Sequence, residues 1–163
     1  MNTTEPSVTS KLFQYIPLIE KILLVALLIG TILAIMEIDL TIARISLFVL
    51  AATFFLRAFQ PPKEIEQSEN ETFGFSELLA RSIIPKVLWI SSAVSAIGIA
   101  FYLNNFENKG YKEMLLIGIM SIGAGLVLLT VFLVTGVKHL KTIVPVVLRA
   151  VPASLAAIYF FLK

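Results

Sequence analysis

The stretch MLLIGIMSIGAGLVLLTVFLVTGV, Met114 to Val137, runs for 24 positions without a charged residue. A bilayer's hydrocarbon core is about 30 Å thick and takes about 20 apolar residues as a helix to cross. This run is long enough. Its apolar residues are continuous rather than alternating, which is not the period-2 pattern of a barrel strand. Inside lipid every backbone N–H and C=O needs a partner within the segment, and the α-helix supplies that.

Four other runs have the same character: Ile16 to Met36, Leu40 to Phe59, Ile83 to Leu103 and Thr142 to Leu162. The expected fold is therefore all-α. It is a polytopic membrane bundle of five transmembrane helices over residues 1–163, two hairpins plus one helix, with no soluble domain. Composition agrees. The chain is 58% hydrophobic and 15% charged, with mean hydropathy +0.91, whereas soluble domains average about 25% charged. The first run reads as a retained helix rather than a signal peptide. No basic segment precedes it, and no small-x-small cleavage site follows Met36.

The net charge of +2 and the absence of any basic stripe exclude a nucleic-acid surface. The partner implied instead is the lipid bilayer, with a second copy or other membrane subunits as protein partners. There is no cysteine, which removes disulfides and thiol chemistry. Ser91, Ser92, Ser95 and Ser121 lie at bilayer depth, but no histidine or deep acid accompanies them. A nucleophile without a base does not make an active site, so a non-enzymatic protein without metal or cofactor is expected.

Cations sort by side. Lys11, Lys21, Arg57, Lys63, Arg81, Lys86, Lys138 and Lys141 fall on one side of the five spans; Arg44, Lys109, Lys112 and Lys163 fall on the other. The richer side is cytoplasmic by the positive-inside rule. That puts the N-terminus inside and the C-terminus outside, in a bacterial inner membrane. Asn2 and Asn70 each begin an Asn-x-Thr sequon, but both lie on the cytoplasmic side, where glycosylation does not act on them.

The loops follow local rules. Residues 1–10 are polar, and Lys11 to Ile16 reads as a short interfacial lead-in to the first span. Pro61-Pro62 stops the second helix and opens the polar loop 60–77, which carries Glu64, Glu66, Glu69 and Glu71. Ser76 is placed to cap the next helix. Gly136, Lys138, His139 and Lys141 mark the last cytoplasmic turn, with His139 a solvated loop residue. Ile19-Glu20-Lys21-Ile22-Leu23 echoes Ile84-Pro85-Lys86-Val87-Leu88, consistent with a parallel repeat of two hairpins.

Small residues spaced by four let helix backbones approach. Ser92 with Ala96, Ser121 with Gly125, and Ala150 with Ser154 have that spacing. Spans three, four and five are therefore expected to form the tight centre, with the first two facing more lipid. Charge inside the membrane is the other pointer. Glu20 lies in the first span, and Arg149 lies about 10 Å along the fifth at 1.5 Å per residue. Both belong to the cytoplasmic leaflet, so an ion pair between them is expected. Either it ties the helices together or it belongs to an ion path. Arg44 has Glu37 and Asp39 on its own side as partners. Pro145 and Pro152 flank Arg149 and can free carbonyls beside it.

Phe106-Glu107 followed by Met114-Leu115-Leu116-Ile117-Gly118-Ile119 resembles the membrane hairpin of the GldL gliding-motility motor family. Ala58-Phe59-Gln60-Pro61 is similar to that family's exit from its second helix. Ile19 to Leu24 is similar to the opening of other multi-span membrane proteins of Bacteroidota. The resemblance implies a bacterial inner-membrane relative. The chain departs from GldL where that family carries an intramembrane acid: Met120-Ser121-Ile122-Gly123-Ala124 has no carboxylate. It also adds a fifth span and reads as lacking the family's long cytoplasmic domain. These departures count against proton conduction.

Overall fold

The computed structural model describes residues 8–60, 75–104, 110–135 and 143–163. The Pro61-Pro62 stop, the Glu64 to Glu71 stretch, both sequon asparagines, the Phe106-Glu107 pair and the turn from Gly136 to Lys141 lie outside these residues. Regular structure among the described residues is entirely helical: α1 (Val8–Ile35), α2 (Thr41–Ala58), α3 (Phe75–Leu78), α4 (Ile84–Leu103), α5 (Gly110–Val134) and α6 (Val144–Leu162), with a π turn over Leu79–Ile83 leading into α4. The five long helices are apolar enough to cross a membrane. The chain is an all-α polytopic membrane bundle.

Two starts differ from expectation. α1 begins at Val8, so the lead-in at Lys11 to Ile16 is already helix. No glycine or proline interrupts Val8 to Ile16, and Pro17 removes only the bond to the Phe13 carbonyl. Helix is also present from Phe75, one residue before the proposed cap at Ser76. The π turn has a clear cause. Pro85 has no N–H to give the preceding turn, and the Ile84 N–H reaches back five residues to the Leu79 carbonyl.

The centre of the bundle is α4, which packs on α2, α5 and α6. This corrects the expected grouping of spans. Inside the protein lies 61% of the α4 apolar window and 44% of that of α2, against 17% for each of α1, α5 and α6. The reason is where the small residues point. On α4, Ser91, Ser92, Ala93, Ser95, Ala96, Gly98 and Ala100 are all buried, so neighbours approach from several sides. On α5 they divide: Gly118 and Gly125 face α4, while Gly123 opens outward. α2 presents a continuous buried stripe of Ala43, Leu47, Leu50, Ala51, Phe54 and Ala58 at three-to-four spacing. α1 lies against α2 through Gly30. A Cβ there would stand 2.6 Å from the Ala43 backbone nitrogen.

Aromatic rings mark one end of the bundle. Tyr102 at the end of α4 meets Tyr111 at the start of α5 at 5.4 Å and Phe160 near the end of α6 at 5.2 Å. Tyrosine collects where an apolar ring meets a wet headgroup layer. The opposite end holds the Glu20 carboxylate and the two arginines paired with it.

Candidate functional site

Glu20 is the polar residue around which this end is built. It lies in α1 with 1% exposure, among helices whose neighbouring positions are apolar. An unpaired carboxylate there would cost several kcal/mol in desolvation. Two arginines answer it. Arg149, little more than one turn into α6, donates its Nε–H to Glu20 Oε1. Arg57, in the last turn of α2, places Nη2 2.6 Å from Glu20 Oε2. This second contact is an ion pair without hydrogen-bond alignment, and Arg57 Nε finds no partner. One carboxylate thus joins three helices.

Trp89, little more than one turn into α4, brings in a fourth. Its ring lies 5.0 Å from the Arg57 guanidinium carbon and 5.9 Å from that of Arg149, both within cation–π range. Phe54 backs the indole at 5.3 Å. Arg149 is also held by its own helix: Nη1 donates to the Pro145 carbonyl at 2.7 Å. Pro145 lies in the first turn of α6, and its carbonyl, like those of any helix, points toward the C-terminus and so toward this side chain. The structure therefore brings the sequence-proposed residues Glu20 and Arg149 together and adds Arg57 and Trp89, which sequence reasoning missed. Arg57 looked like an ordinary flanking cation. The available signal was its shared leaflet with Glu20.

The other end behaves differently. The Asp39 carboxylate accepts the Thr41 N–H at 2.8 Å at the start of α2. This backbone bond, together with the Thr41 side chain, holds the Asp39 pKa below its ordinary value; the charge of Arg44 contributes less. Arg44 Nε is buried without a partner, and the expected link to the carboxylates on its side persists as the small charge effect on Asp39. The Asp39 carboxylate bonds the backbone at the start of α2, and the Glu37 backbone takes a left-handed conformation, φ 59°.

The hydroxyls in the spans mostly satisfy themselves. Ser91 donates to the Val87 carbonyl, Ser92 to that of Leu88, Thr53 to that of Val49 and Ser154 to that of Val151. Ser95 differs from these: it is fully buried, unpartnered and seated against Gly118. Of the small residues expected at packing contacts, Ser92, Ala96, Gly125 and Ala150 are buried, while Ser121 and Ser154 are half-buried. A Cβ on Gly125 would come 2.9 Å from Leu88 Cδ2. Among the described residues no three acidic or histidine side chains gather as a metal site. No protein-family model, curated protein or solved structure matches the chain.

Proposed function

We propose that this protein is a non-enzymatic accessory or scaffold subunit of a bacterial cytoplasmic membrane, with its N-terminus inside and its C-terminus outside. One observation carries the reading: the buried charge is spent on joining helices. Glu20 bridges α1, α2 and α6 through both oxygens, and most span hydroxyls bond to their own helix. What remains for function is surface. α1, α5 and α6 turn broad apolar faces outward, with Leu28, Ile117, Met120, Val127 and Leu148 among the exposed residues. The resemblance to the GldL hairpin supports a bacterial membrane setting. A scaffold retains a partner or a second copy through mild solubilisation. Crosslinking in membranes followed by purification in mild detergent should recover such an assembly. A monodisperse single copy in every condition would overturn the reading.

A second reading, a small ion or proton channel, has Ser95 in its favour, a buried hydroxyl without a partner. Ion flux in proteoliposomes that is lost in Glu20→Gln would favour it over the scaffold.

A further inference from the structure

We propose that the Arg57–Glu20–Arg149 cluster is a binding site for the phosphate of an anionic lipid headgroup, drawn from the leaflet in which the cluster lies. The first reason is charge. Two guanidinium groups share one carboxylate, leaving an excess of one positive charge. Among the side chains the structure describes, the other titratable groups at this end are the Tyr15 phenol and Lys21 on α1 and Lys86 on α4, all exposed, and the two lysines are cations. Glu37, Asp39 and Glu113 belong to the opposite end. Guanidinium is the group best shaped for phosphate, offering paired N–H donors in one plane.

The second reason is access. Glu20 is sealed and Arg57 nearly so, but the Arg149 side chain keeps 31% exposure. Its two bonds use Nε and Nη1, so neither uses Nη2. The third reason is what surrounds the opening. Pro145 and Pro152, four before and three after Arg149, share its helix face, and both are exposed. Val144 and Leu148 beside them are exposed as well. A cation opening within an apolar surface fits an amphiphile, whose phosphate meets the guanidinium while its chains cover the helix. A soluble phosphate would gain only the first contact. The depth also fits. Arg149 and Trp89 lie just over one turn into their helices and Arg57 one residue from the end of its own, close to the boundary between headgroups and acyl chains.

Trp89 is the only tryptophan in the chain, and it touches both arginines, so its fluorescence reports on this site. The full-length protein is reconstituted into vesicles of mixed lipid in which either phosphatidylglycerol or phosphatidylcholine carries brominated chains. Quenching of Trp89 then gives their relative occupancy. The expected preference for phosphatidylglycerol is about five-fold, the effect of one basic group near a membrane surface. In Arg149→Gln the Glu20–Arg57 pair remains, the cluster becomes neutral, and the preference should fall to about one. Arg149→Lys should retain it. Lys21→Gln and Lys86→Gln should leave it unchanged. Equal quenching by both lipids in the unaltered protein would overturn the site without reference to any variant. So would a preference that survives Arg149→Gln, or one that falls as far in Lys86→Gln. Inorganic phosphate at matched ionic strength should not relieve quenching; if it does, the source is a soluble anion and not lipid.

Discussion

Arg57 Nη2 stands 2.6 Å from Glu20 Oε2, across the α1–α2 hairpin, while the other carboxylate oxygen is held from α6 by Arg149. The arrangement is asymmetric in its consequences, because the single anion serves two cations.

Glu20→Gln should therefore be the most damaging change in the cluster. It leaves two guanidinium groups facing each other without a counter-charge. Breaking a buried ion pair from one side costs about 3–5 kcal/mol, and partial exposure of Arg149 places this case near the lower bound. Arg57→Gln or Arg149→Gln leaves Glu20 with one partner and should cost about 1.5 kcal/mol each. The double variant Glu20→Gln with Arg149→Gln should cost less than the sum of its singles. Thermal midpoints in mild detergent read all of these. Strict additivity would show that the two residues are not energetically coupled.

Glycine positions separate by what surrounds them. Gly30→Ala drives a methyl group into the Ala43 backbone, which has no rotamer to yield, and should cost about 1–3 kcal/mol. Gly118→Ala meets the Ser95 hydroxyl. Because that hydroxyl has no partner, Ser95→Ala should be close to neutral alone and should restore part of the stability lost in Gly118→Ala. Gly123→Ala, with open space around it, should change stability little. Equal losses at Gly30 and Gly123 would contradict the packing of α1 on α2.

The Asp39 carboxylate should titrate below the ordinary aspartate range, since its charged form accepts the Thr41 N–H. The sign follows directly. A folded pKa below the unfolded one stabilises the start of α2 above the unfolded pKa, and this is lost as pH falls through the folded value. An NMR titration of labelled protein would show the midpoint shifted down. In Thr41→Pro, which removes the donor, the midpoint should move up toward the usual value. A midpoint at or above the usual value in the unaltered protein would refute the Asp39–Thr41 bond.

The proposed topology of five crossings puts the chain ends on opposite sides of the membrane. The sequence has no cysteine, so single introduced thiols report cleanly. Lys163→Cys should react with an impermeant maleimide added to intact cells, and Lys86→Cys only after the cells are opened. Reaction of both from the same side would refute the proposed orientation.

The five long helices were legible because each apolar run is long and uninterrupted, and the membrane leaves few alternatives. Helix starts were less legible, since extending α1 back to Val8 requires only that nothing forbids it. The contact between Glu20 and Arg149 could be anticipated from shared depth. Arg57 could not be singled out, because a cation at the end of a span reads the same whether it meets headgroups or a carboxylate. The central place of α4 over α5 depends on which way each glycine points, and composition carries no direction. Gly123 and Gly125 look equivalent in the sequence, yet one faces Leu88 and the other open space.

The shared carboxylate also orders the protein's biogenesis. The ribosome delivers Glu20 first, and it can be neutralised as soon as Arg57 follows in the same hairpin, so that the pair enters the lipid without net charge. Arg149 arrives last, carrying a charge whose seat was built before it was synthesised. A chain released before its final segment would leave Glu20 Oε1 without its partner from α6.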